Sequence, residues 1–60
     1  GNAYYNLACE YALTGDREKA LDAAEKAFAA GYRVKFFYEN DTDLAAIRED
    51  ARFKALLAKL

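Results

Sequence analysis

The sequence predicts an all-α domain, and three observations carry that prediction. Fourteen alanines and seven leucines stand against only two β-branched aliphatic residues, Val34 and Ile47, a composition that favours helix. Proline is absent, so nothing interrupts a helix by removing a backbone donor. The breaks fall instead at Gly15-Asp16, at Gly31 and at the polar run Asn40-Asp41-Thr42-Asp43, which divides the chain into helix-length pieces.

Taken in order, the first piece is a helix over 2–14. At about 100° per residue its polar positions Asn6, Glu10 and Thr14 share one narrow arc with Ala3. Two apolar faces remain. One holds Tyr4, Leu7, Ala8 and Tyr11; the other holds Tyr5, Cys9, Ala12 and Leu13, bordered by Asn2. A helix apolar on two faces needs cover on two sides. Gly15 suits the left-handed residue that ends it, and Asp16 the N-cap of the next. The second helix, over 17–30, gathers Ala20, Leu21, Ala24, Ala27 and Phe28 on its inner side. Its outer side carries Glu18, Asp22, Glu25 and Lys26, with Asp22 and Lys26 spaced as an i,i+4 pair. The two form an antiparallel hairpin able to cover one face of the first helix. A short helix near 34–39, a helical turn near 44–48 and a last helix over 51–60, N-capped by Asp50, complete the chain. In the last helix Phe53, Leu56, Leu57 and Leu60 recur at helical spacing, leaving Arg52, Lys54 and Lys59 wet. Of Phe36-Phe37-Tyr38, Phe37 is expected in the core with Val34, packing onto the second helix and replacing the bulk missing at Ala24, with one of Phe36 and Tyr38 left at the surface; the alternative is that the run is exposed as a partner-binding edge.

Residues 2–32 resemble a tetratricopeptide repeat, with Tyr4, Leu7, Ala8, Tyr11, Ala20 and Ala27 at the pattern's positions and the segment EKAL over 18–21. Ala24 stands where a larger aromatic residue is usual, and Tyr32 where proline is. Residues 40–57, NDTDLAAIREDARFKALL, look like the closing segment that follows the last repeat in many bacterial proteins of this family, with Thr42 and Ala51 in place of common prolines. The resemblance implies one hairpin over 1–32 and capping helices over 33–60, forming one domain. It also implies that inner-helix residues Asn2, Tyr5, Cys9, Ala12 and Leu13 line a surface for a peptide or protein partner. With Tyr5 and Cys9 in the slots where some family members place cationic or amide side chains, no grip on a terminal carboxylate is expected.

Chemistry is sparsely represented. His and Ser are absent, which removes the usual general base and hydroxyl nucleophile. The single cysteine cannot form an internal disulfide, and no neighbour in sequence activates it. Glu39, Asp41 and Asp43 lack the central glycine of a calcium loop and suit turn and cap positions better. A zinc site lacks ligands. A net charge of −1 argues against nucleic acid and anionic membrane as partners. The chain opens on Gly1 rather than Met, as expected of an excised segment. The expectation is therefore a non-enzymatic, cofactor-free interaction module with a protein or peptide as partner. The alternative is a structural end-cap whose apolar flank packs on preceding repeats or on a second copy of the chain.

Overall fold

Two glycines do the structural work that proline does elsewhere. In the computed structural model, which describes residues 2–60, α1 (Asn2–Thr14) ends as Gly15 swings to a φ of +88°. That conformation lets the Asp16 amide donate to the Tyr11 carbonyl at 2.9 Å and the Gly15 amide to the Ala12 carbonyl at 3.3 Å, so the orphan carbonyls of the last turn find partners. Asp16 then accepts from the Lys19 amide at 3.2 Å and opens α2 (Arg17–Ala29). Gly31, at φ +100°, repeats the device at the end of α2, with Tyr32 donating to the Ala27 carbonyl at 3.0 Å. Gly1, where the expected hairpin bounds begin, lies outside the described residues.

The rest of the chain is a tail of short pieces: α3 (Lys35–Asn40), a 3-10 turn (Thr42–Leu44), a series of turns, and α4 (Ala51–Ala58). Helix starts in this tail follow the acids. Asp41 accepts from the Asp43 amide at 3.0 Å and Asp50 from the Arg52 amide at 2.9 Å, the N-cap role expected of them. The last helix stops at Ala58, short of the expected end at 60, because Lys59 and Leu60 continue only as 3-10-type bonds.

Packing is helical throughout the described residues. α1 lies against α2 and against the 3-10 turn, while α4 lies against α2 and α3. Ala8, Ala20, Ala24 and Ala27 are all fully buried, and such small side chains let two helices approach closely. The bulk of the core comes from the tail: Tyr38, Leu44, Ile47 and Phe53 are the largest fully buried side chains.

Two packing expectations are corrected. Tyr38, not Phe37, is the inward residue of α3, and Val34 and Phe37 are about four-tenths exposed rather than packed into the core. One turn of helix has room for one inward aromatic. Tyr38 can take that place because its hydroxyl donates to the Tyr32 carbonyl at 2.6 Å, which satisfies the polar tip of a buried ring. Arg52, expected to be simply wet, reaches from α4 across to α2. Its guanidinium lies 2.7 Å from Asp22, 2.9 Å from Glu25 and 3.3 Å from Glu18. Asp22 is thereby used here and does not pair with Lys26 as its spacing suggests. Hydrogen bonds to Glu25 first and Asp22 second hold the Arg52 proton more tightly than usual. Arg52→Gln is expected to lower the thermal midpoint at low ionic strength, with the difference shrinking in about 1 M NaCl as exposed charges are screened. Circular dichroism melts at the two salt concentrations measure both effects.

Candidate functional site

The five residues singled out on α1 do not stay together on an open surface. Tyr5, Cys9 and Ala12 are buried, whereas Asn2 and Leu13 remain exposed at the two ends of the helix. The expectation that this face stays free within the monomer is corrected by the tail. The Tyr5 ring sits 4.8 Å from Tyr32, 5.3 Å from Tyr38 and 6.5 Å from Phe37, centroid to centroid. Beneath them Asp41 acts as a hub. Its carboxylate accepts the Tyr5 hydroxyl at 2.8 Å and a long 3.9 Å contact from the Cys9 thiol, and its carbonyl accepts from Arg48. The physical reason is economical: the chain has its own apolar tail at hand, and burying Tyr5 and Cys9 under it removes surface that water would otherwise cover.

The electrostatics of this hub favour protons kept in place. Burial, with the Asp41 hydrogen bond second, raises the Tyr5 hydroxyl pKa far above its ordinary value. Burial and then the nearby Asp41 and Asp43 charges push the Cys9 thiol up to about 11. Cys9, Asp41 and Asp43 bring one ligand atom each within 4.8 Å of one another, a grouping the sequence hid by setting Cys9 more than thirty residues away. A thiol held neutral as a donor suits a hydrogen-bonded latch between α1 and the tail. At neutral pH it is a poor nucleophile, a role that needs thiolate.

An open apolar surface lies on the other flank of the hairpin. Tyr4 and Leu7 are 41% and 38% exposed and Tyr11 is partly so. With Ala23, Lys19, Asp22 and Lys26 of α2 they line a shallow groove of about 180 Å³. The Lys26 ammonium stands 5.9 Å from the centre of the Tyr4 ring and that of Lys19 stands 5.7 Å from Tyr11, within cation–π range. These residues belong to the first apolar face of α1, which α2 was expected to cover. Only Ala8 of that set is fully buried. Their half-exposure was not visible in the helical periodicity, which treats Tyr4 and Ala8 as equal members of one arc.

A second concavity, between α2 and α4, is lined by Glu25, Phe28, Arg52, Leu56 and Lys59. Its central charges, Arg52 and Glu25, already neutralise each other. No helix among the described residues is long and apolar enough to cross a membrane. No protein-family model, curated protein or solved structure matches this chain.

Proposed function

We propose that the chain is a non-enzymatic docking unit, the terminal hairpin of a tetratricopeptide-type helical array, that receives a neighbouring helical hairpin on its Tyr4–Leu7–Tyr11 flank. The observation that carries this reading is the asymmetry of α1: its Tyr5–Cys9–Ala12 side is sealed by the tail, while the Tyr4–Leu7 side is left half-open. A terminal unit needs that arrangement, one flank finished by a capping element and the other apolar for its neighbour. The repeat positions at Tyr4, Leu7, Ala8, Tyr11, Ala20 and Ala27 support the same reading. The tail takes the part of the cap, with Phe53 and Leu56 turned inward and Lys54 and Lys59 outward. Lys26, which joins no ion pair among the described residues, would meet acidic residues on the rim of the neighbour.

A duplicated hairpin tests this. Residues 1–34 are repeated ahead of the full chain, so that the added hairpin presents its uncapped Tyr5–Cys9–Ala12 side to the flank in question. The expected result is a single cooperative melt at a higher midpoint than the original chain, since stacking adds an interface term. Leu7→Glu in the second copy alone abolishes the gain and leaves the 60-residue chain nearly unaffected. Two separate melts, or a gain that survives Leu7→Glu, would overturn the reading. A midpoint of the original chain that rises with its own concentration would show instead that a second copy is the occupant.

A further inference from the structure

The start of α3 carries a second exposed surface, apart from the docking flank. Arg33, Val34, Lys35, Phe36 and Phe37 are five consecutive exposed residues. Phe36 is 68% exposed and is the most exposed large apolar side chain among the described residues. Its ring meets Phe37 edge-on at 6.0 Å, and Phe37 in turn leans on Tyr5 at 6.5 Å, so the projecting ring is backed by the core. The two cations that precede it in the chain, Arg33 and Lys35, have no carboxylate partner among the described residues. Glu39, the acid on the same helix, also joins no ion pair there. Arg33 is nevertheless held in place. Its Nε donates to the Phe28 carbonyl at 3.2 Å, and its guanidinium lies over the Phe28 ring at 4.2 Å. That leaves the Nη groups of a preorganised guanidinium free to take a carboxylate.

We propose that this edge binds an acidic peptide in which a carboxylate stands next to a large apolar side chain, the carboxylate meeting Arg33 and Lys35 and the apolar group meeting Phe36 and Phe37. Charge complementarity selects this occupant, because two unpaired cations, Arg33 and Lys35, directly precede the rings in the chain against one unpaired acid, Glu39. An aromatic side chain and a fixed arginine are the residue types that dominate binding energy at interfaces. The surface is separate from the Tyr4–Leu7–Tyr11 flank and stands or falls independently of it.

The probe is a fluorescein-labelled peptide, Glu-Asp-Phe-Glu-Leu-Asp with an amidated C terminus, titrated with the intact chain and followed by anisotropy. A control peptide has lysine in place of each acid. The expected result is saturable binding of the acidic peptide only, weakened at least about tenfold by Phe36→Ser and by Arg33→Gln and weakened again between about 0.05 and 0.5 M NaCl. Leu7→Glu leaves the affinity unchanged. Circular dichroism spectra of the variants, matching the parent, show that the fold is kept. Absence of saturable binding up to about 1 mM peptide, equal binding of the lysine peptide, or binding indifferent to Phe36→Ser would each overturn the proposal. Preferential uptake by phosphatidylserine vesicles over the peptide would overturn it too, by giving the edge to a lipid surface.

Discussion

Phe53→Ala is expected to leave much of the chain unfolded at 25 °C. Phe53 is fully buried in α4 and stacks 6.2 Å from the buried Tyr38. Truncating a core phenylalanine costs about 3–5 kcal/mol. A domain of this length holds roughly 3–9 kcal/mol in total, from about 0.05–0.15 kcal/mol per residue. The variant therefore loses much or all of its margin, and its melt shifts down by tens of degrees, at about 4–8 °C per kcal/mol for a small domain. Phe36→Ala, the same change at an exposed ring, stays within about 0.5 kcal/mol of the parent. Urea titrations of both variants measure the contrast. Similar losses at the two positions would mean that the tail does not dock as described.

Alkali provides the second large effect. Cys9 rises from an ordinary value near 9 to about 11 and Tyr38 from 10 to about 12, in each case chiefly by burial; Tyr5 is raised further still. The folded state thus prefers the neutral forms, and the unfolded chain releases these protons first. Their contribution is complete below the unfolded values and is lost as pH climbs through the folded ones. Between pH 9 and 11 Cys9 removes about 2 kcal/mol, and above pH 10 each tyrosine adds roughly 1 kcal/mol to the loss. Unfolding in urea at pH 8, 9.5 and 11 should show a level of stability that drops only in the alkaline samples. Cys9→Ala should flatten the part of the drop that falls below pH 10. Stability that holds level to pH 11 would contradict the burial of all three groups.

Local signals made the hairpin and the ends of its helices legible. Gly15 and Gly31 hold positive φ and Asp16 and Asp50 cap where the residue types demand it, since each of these features is decided within a few residues. The apolar spacing of Phe53 and Leu56 likewise marked the inner side of α4. What stayed hidden depends on long-range geometry. Helical periodicity places Tyr4 and Tyr5 on two apolar faces of α1 but does not say which one the tail covers. That choice is marked by Asp41, thirty-six residues beyond Tyr5, which accepts the Tyr5 hydroxyl. In α3, Phe37 and Tyr38 are one step of about 100° apart, and the carbonyl of Tyr32, six residues earlier than Tyr38, decides between them. Arg52 read as a solvated cation because its three acidic partners lie on another helix, 27 to 34 residues away.

The most direct test of the account is the reactivity of its single thiol. Cys9 lies at the centre of the flank that the tail seals, so a thiol reagent reaches it only when the tail opens. At pH 8 and 25 °C, reaction of the native chain with iodoacetamide is expected to run at least about 100-fold slower than in urea, which corresponds to an opening free energy of about 2.7 kcal/mol or more. Alkylation of the native chain within tenfold of the unfolded rate would mean that the Tyr5–Cys9–Ala12 side of α1 stands open, and the assignment of sealed and docking flanks would be reversed.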